Sequence, residues 1–435
     1  MSQPEADPKA ASPKPVRHTV SPFERLGPGL VTGAADDDPG GIATHSQAGA
    51  QFGLNMLWTV VLTYPLMVAV QMISARIGRV TGKGLAANLK QVFPRGAVSI
   101  LIALLFVANA LNIGADIAAM GAAAALMLGW GAKLFTVLFA LVSLLLQLFV
   151  PYHRYVNFLK WLTLALFAYV GVVFTVKIDW MAVATHTFTP SFTLDEASVT
   201  MIVAIFGTTI SPYLFFWQSS EEVEDMEASH HPNLQQETDE VARDELKRMK
   251  WDTIIGMGFA NLIAFFIILT SASTLHAAGI TDVASSAEAA AALKPIAGPL
   301  AFLLFSLGII GTGLLAVPVL AGSVGYAVGE LRGWKTGLEY KPGQAKGFYG
   351  VIVFVMVVAL GVVFSPLDPI KLLYWSAVVN GVISVPLMAA MMIVASRRRQ
   401  MGAYVATASQ RILGWLATGI MAAAVVAMMV LMLRG

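Results

Sequence analysis

Cysteine is absent from the 435 residues, which removes thiol catalysis, zinc–thiolate sites and iron–sulfur clusters from consideration. Charge is scarce as well. Asp, Glu, Lys and Arg make up 12% of the chain, about half the roughly 25% typical of soluble domains. That is too little to clothe a water-facing surface. A disordered chain, a nucleic-acid binder and a disulfide-stapled secreted domain are excluded with it. There is no Gly-rich phosphate loop, nucleophile–base constellation or His-x-x-x-His pair, so nothing points to an enzyme or to a resident cofactor. What is abundant is apolar: 57% of residues, with a mean hydropathy of +0.71. The solvent for most of this chain is lipid, and the expected class is an all-α integral membrane protein.

A helix needs about 20 mostly apolar residues to cross a hydrocarbon layer of roughly 30 Å. Eleven stretches qualify: 27–52, 54–77, 97–125, 133–151, 155–176, 199–218, 252–276, 297–328, 348–364, 370–395 and 411–433. Residues 1–26 are polar and lack an apolar signal-peptide core, which predicts a disordered tail with no cleaved leader. With the N-terminus in the cytoplasm, 23 of the 28 lysines and arginines fall in inner segments and 5 in outer ones. The positive-inside rule therefore predicts N-in, C-out insertion in a cell (inner) membrane. The lipid bilayer is the expected partner; no nucleic acid and no obligate protein partner is indicated.

Few titratable groups are left inside the spans. They are Asp36, Asp37, Asp38 and His45 in the first and Asp116 in the third. A carboxylate near the bilayer centre costs about 2.5–3.5 kcal/mol on insertion scales, so three in a row must face protein, water or a cation. The run Gly33 to Gly41 contains those acids followed by Pro39, Gly40 and Gly41, and it cannot be continuous helix. Span six repeats the device in Gly207-Thr208-Thr209-Ile210-Ser211-Pro212. Interrupted helices in corresponding places, with unwound carbonyls beside a carboxylate, point to an inverted-repeat transporter whose midplane site takes a hard cation. Spans 1–5 (27–176) and 6–10 (199–395, with a cytoplasmic loop 219–250) form the two repeats, and 411–433 is an addition.

These residues resemble a known family. Gly27-Pro28-Gly29 followed by Asp38-Pro39-Gly40 is similar to the first-helix signature of the natural resistance-associated macrophage protein (NRAMP) family, divalent-metal transporters of the LeuT-type 5+5 fold. Asn112 to Asp116 and Gly207 to Pro212 sit where that family carries motifs. The resemblance implies Asp38 as metal ligand, Thr208 through its main-chain carbonyl, and Gly41 and Ser211 as altered ligand positions contributing backbone or hydroxyl oxygen. The family pattern is usually Asp-Pro-Gly-Asn in the first helix and Met-Pro-His in the sixth. Here Gly41 replaces the Asn, Ser211 the Met and Tyr213 the His, while Ala119 stands where a Glu is often found.

Losing the thioether leaves only oxygen donors, which suits Mg²⁺ or Mn²⁺ ahead of Fe²⁺, and the pattern looks like the magnesium-transporting branch. The metal is then transported substrate, not cofactor. The altered proton-route residues imply weak or absent proton coupling. Candidate pathway or proton residues are Asp37, His45, Asp116, Tyr213, Glu221, Glu222 and Asn380, the last one turn from Ser384. Glu221 and Glu222 open an acidic stretch read either as a cation-attracting vestibule or as a solvated helix. The rival function on the same fold is a cation-coupled organic-solute symporter, which Asp38 disfavours because it would repel a substrate carboxylate. A membrane-bound sensor or structural protein is disfavoured by the short loops.

Overall fold

A computed structural model of the chain describes residues 28–150, 166–174, 176–229, 232–283, 286–365 and 369–434. The 1–26 tail, most of the fifth predicted span with Lys160, and His230-His231 lie outside these residues. The regular structure among the described residues is helix, without a strand.

The first span is two helices, α1 (Pro28–Asp36) and α2 (Pro39–Phe52). Asp38 is extended (φ −68°, ψ 167°) and caps α2 by accepting from the Gly41 amide, while Pro39 takes the first turn, where its missing N–H leaves nothing unsatisfied. A 3₁₀ turn (Gly53–Met56), with Gly53 at φ 58°, swings the chain into α3 (Leu57–Thr81). Only glycine takes that dihedral at no steric cost, and the corner separates spans one and two where the hydropathy divides them. After α4 (Leu85–Val92) come α5 (Arg95–Leu128) and α6 (Ala132–Phe149); α7 (Phe167–Val173) is the described part of span five. A short α8 (Trp180–Phe188) leads to span six, again in two pieces, α9 (Glu196–Thr209) and α10 (Pro212–Ala228), with Pro212 in the first turn of the second. Then follow α11 (Asp239–Thr274), α12 (Ser286–Arg332), α13 (Lys346–Val363), α14 (Pro369–Ser396), the short α15 (Arg398–Met401) and α16 (Ala408–Met432).

Among the described residues nine helical stretches are long and apolar enough to cross a membrane. The difference from eleven has plain reasons: the second half of span one is continuous with span two as the single stretch Pro39–Thr81, and the fifth lies mostly outside the described residues. One boundary differs from the hydropathy reading. The segment 219–250 is mainly helix, because α10 runs on to Ala228 and α11 begins at Asp239, well before the apolar run at 252. Inside α12 the backbone is non-helical at Gly298 (φ 84°), so the eighth span starts at a break.

Small residues let the broken helices approach their neighbours closely. A β-carbon on Gly33 of α1 would overlap the Gly256 backbone of α11, and one on Gly207 of α9 would overlap Ala377 and Gly381 of α14. Gly313 of α12 lies against Pro39 and the Met120 side chain. The far end of α1 is anchored as well: the Gly29 amide donates to Asp252 Oδ2 (2.7 Å), and Thr32 Oγ1 bonds Gln218 Oε1 of α10 (2.5 Å). Both breaks are thereby held face to face in the middle of the bundle.

Candidate cation site at the two helix breaks

Asp38 is 3% exposed, and its two oxygens are held from different helices. Oδ1 accepts from the Gly41 amide (2.6 Å) and Oδ2 from Asn112 Nδ2 of α5 (2.8 Å). Asn112 is oriented in turn by Ser376 of α14, whose hydroxyl donates to Asn112 Oδ1 (2.9 Å). One turn along α5, Asp116 Oδ1 accepts from the Gly40 amide (3.2 Å). Asn112 and Asp116 share a face because they are four residues apart on one helix.

The two glycines mark where space remains. A β-carbon on Gly41 would stand 3.2 Å from the Asp36 carbonyl, 3.2 Å from Thr208 Oγ1 and 3.3 Å from Asp38 Oδ1. On Gly40 it would stand 3.2 Å from Asp38 Oδ1, 3.4 Å from Asn112 Oδ1 and 3.7 Å from Asp116 Oδ1. Oxygens from α1, α2, α5 and α9 converge on a cradle that any larger residue would begin to fill.

The electrostatics of the cradle follow from the helix ends. α1 and α9 both end at the cradle, α1 bringing the Asp36 carbonyl and α9 the Thr208 side chain, and their C-terminal dipole ends add partial negative charge to that of the acids. Asp36 Oδ1, Asp37 Oδ2 and Asp116 Oδ2 are buried with no hydrogen-bond partner, and no lysine or arginine among the described residues pairs with any of the four acids. Unpartnered buried carboxylate oxygens are costly, and a cation relieves that cost.

The remaining sequence candidates divide. Ser211 Oγ donates to the Gly207 and Thr208 carbonyls (2.9 and 2.8 Å), closing the C-terminal end of α9, so the Thr208 carbonyl is already bonded while its side-chain oxygen faces the cradle. The Gly41 carbonyl lies 2.8 Å from His45 Nδ1, and His45 Nε2 is buried without a partner. Tyr213, 1% exposed, donates its hydroxyl to the Ala35 carbonyl (3.0 Å), tying the start of α10 to the end of α1. Asn380 is buried with Oδ1 unpartnered, and the Ser384 hydroxyl donates to the Gly381 carbonyl.

Glu222 lies elsewhere, fully buried in an arginine network. Arg79 of α3 bonds Asp225 Oδ2 (3.0 Å) and Glu245 Oε2 (2.6 Å), and Arg248 of α11 reaches Glu222 Oε2 (3.5 Å), Asp225 (3.3 Å) and Glu245 (3.1 Å). Glu221 lies beside Tyr326, whose hydroxyl also bonds Glu224. The sequence placed Asn112 in a family motif without a role and did not single out Ser376 or the Gly40 amide. The four-residue spacings Asn112–Asp116 and Ser376–Asn380 were the available signal; the partners themselves are remote in sequence.

Two half-helix pairs meeting at an oxygen-lined, buried centre define a membrane transporter of the broken-helix type, not an enzyme. The comparisons with known proteins agree. Residues 29–431 match the natural resistance-associated macrophage protein-like family, and the chain belongs to it. The divalent metal cation transporter MntH of Deinococcus radiodurans is 26% identical over 428 residues, covering 93% of this chain and 88% of that one. The Eremococcus coleocola manganese transporter superposes with a TM-score of 0.75 at 18% identity, over 93% of this chain and 85% of that one. Mhp1, a nucleobase-cation-symport-1 family transporter in a closed conformation, gives a TM-score of 0.56 at 14% identity, over 93% and 92%. These matches carry the LeuT-type architecture.

Proposed function

We propose that the protein carries divalent metal cations into the cell across the inner membrane, with Mg²⁺ and Mn²⁺ preferred over Fe²⁺. The observation that carries this reading is the convergence of Asp38 Oδ1, the Asp36 carbonyl and Thr208 Oγ1 on one point beside Asp116, with no basic partner among the described residues. All the donors are oxygen. Mg²⁺ and Mn²⁺ accept such a set while keeping some of their water, and a softer ion gains nothing from it. Among the described residues no three His, Cys, Asp or Glu side chains gather to hold a metal. A site that shares the work with backbone, amide and hydroxyl oxygens suits an ion that must also leave.

Release follows from how the site is built. Its ligands come from half-helices of both repeats, so a rocking motion that separates α1 from α9 and α10 dismantles the cradle without breaking a covalent or ionic link. The driving force is adequate without protons. A divalent ion gains about 4.6 kcal/mol per 100 mV, enough for more than a thousandfold accumulation. In the position of the family's usual histidine, Tyr213 spends its hydroxyl on the Ala35 carbonyl, and it offers no proton that titrates near neutrality. N-in, C-out insertion, two repeats over 27–176 and 199–395, and a supplementary helix at 411–433 complete the proposal.

Uptake of Mg²⁺, Mn²⁺ and Fe²⁺ into proteoliposomes, with a lumenal pH dye, tests it. Expected is Asp38-dependent uptake of Mg²⁺ and Mn²⁺ driven by an inside-negative potential, without acidification. Uptake of a labelled amino acid, or of Fe²⁺ alone with stoichiometric acidification, would refute it.

A further inference from the structure

A groove of about 620 Å³ lies on the lipid-facing side of the bundle, away from the helix breaks, where α3, α11 and α16 meet. Its wall on α3 is the stripe Pro65, Val68, Met72 and Arg76, one face of a helix at three- and four-residue steps. From Pro65 to Arg76 that face runs about 17 Å along the helix. Leu413 of α16 and Ile254 of α11 complete the apolar part, and Tyr64 bridges its edge by donating to the Ile254 carbonyl (3.1 Å).

At one end the character changes. Arg76, Lys247 and Lys250 line the groove there, together with Thr407 and Ser409 at the N-terminal end of α16. Arg76 is 8% exposed, and among the described residues its Nε has no hydrogen-bond partner and its bonds are long ones to the Tyr404 and Val405 carbonyls (both 3.4 Å). Arg76, Lys247 and Lys250 make no ion pair among the described residues. No acid lines the groove among the described residues, and Asp239, at the start of α11, is bonded by the Tyr404 hydroxyl (3.1 Å). A buried arginine without a counter-charge, flanked by two free lysines and a helix N-terminus, asks for an anion. The apolar length leading away from it asks for a hydrocarbon chain.

We infer that this groove is a binding site for one anionic glycerophospholipid, its phosphate at Arg76, Lys247 and Lys250 and one acyl chain along Pro65, Val68 and Met72. Basic pockets between membrane helices at the positively charged face hold acidic headgroups by the same electrostatics. The bound lipid joins α16, the helix outside the two repeats, to α3 and α11. It thereby braces the bundle from outside without touching the cation cradle.

The test uses the full chain purified in detergent, supplied with dioleoylphosphatidylglycerol or dioleoylphosphatidylcholine at equal mole fraction, with native mass spectrometry and thermal melting as readouts. Expected is selective retention of phosphatidylglycerol and a Tm raised by several degrees over the phosphatidylcholine sample. The double variant Lys247→Gln/Lys250→Gln should bind phosphatidylglycerol about thirtyfold more weakly, each surface lysine contributing roughly fivefold. Its Tm in detergent alone should stay that of wild type, since both lysines are exposed. Val68→Trp should abolish retention by filling the apolar end. Equal retention of the two lipids, undiminished binding by the double variant, or the same Tm shift with inorganic phosphate alone would overturn the inference.

Discussion

Two clusters of acids in this molecule have opposite fates. At the helix breaks, Asp36, Asp37, Asp38 and Asp116 are buried with no basic partner among the described residues, and three of them keep an oxygen without a hydrogen bond. Where α3, α10 and α11 run beyond the apolar core, Glu222, Asp225 and Glu245 are also close together, yet Arg79 and Arg248 interleave with them. The paired acids are spent on joining three helices. The unpaired ones retain the capacity to attract a cation. Carboxylate density alone therefore says little about function; the presence or absence of a fixed positive neighbour decides it.

The contrast is sharpest at Asp38. Asp38→Ala should abolish metal uptake, a loss of at least a hundredfold in proteoliposome flux. Because Asp38 also caps α2, the alanine variant should lose about 1 kcal/mol of stability as well. Asp38→Asn keeps the cap, since the amide oxygen still accepts from Gly41, but removes the charge and the acceptor for Asn112: its Tm should fall modestly, by about 1 kcal/mol of stability, and its uptake should be absent. An active Asp38→Asn protein would mean that the unpaired charge is not what holds the ion.

The paired cluster should behave the other way round. Removing the 3%-exposed guanidinium in Arg79→Gln leaves Asp225 and Glu245 with Arg248 alone and should lower stability by about 1–2 kcal/mol, read as a fall in Tm. Metal affinity of the surviving folded protein, measured by calorimetry, should stay within about threefold of wild type. A large loss of affinity with unchanged Tm would place Arg79 in the ion path.

A smaller effect is expected at Gly41. Gly41→Ala puts a carbon 3.2–3.3 Å from three of the converging oxygens, so the neighbours must yield by a few tenths of an ångström. Uptake of Mg²⁺, measured by flux at fixed potential, should fall about tenfold while the protein remains folded. Smallest of all, Tyr213→Phe deletes one neutral hydrogen bond to Ala35 and should cost about 1 kcal/mol in thermal melting. Its metal-dependent acidification in the pH-dye assay should match that of wild type.

Much of the architecture can be read from residue types because the causes are local. Pro39 and Pro212 each lack an amide hydrogen and stand beside glycines or small hydroxyl residues, and there the helices break, whereas Pro65 in α3 and Pro386 in α14 are carried within continuous helix. Eleven apolar stretches and the uneven placement of lysine and arginine follow from the thickness of the hydrocarbon layer and from membrane electrostatics. Asp38 stood out for the same reason, as an uncompensated charge at a break. In 219–250 a solvated helix was one of the readings; what the sequence did not show is that Arg79 and Arg248 tie it to separate helices, since no apolar period marks those contacts.

The division of labour within the site belongs to the folded molecule. Asn112 meets Asp38 across 74 residues, and Ser376 meets Asn112 across 264. Side-chain direction at such contacts depends on how helices cross, which no short segment encodes. Composition and local chemistry thus dictated a lipid-embedded helical chain with two breaks and acids at the first of them. Tertiary packing alone chose the outcome at each polar group. It turned Ser211 back onto the carbonyls of its own helix and aimed the Thr208 side chain at the cradle. It also gave Glu222 an arginine and, among the described residues, left Asp38 without one. The physical reason is that a charge takes its role from its nearest neighbours, and in this protein those neighbours come from other helices.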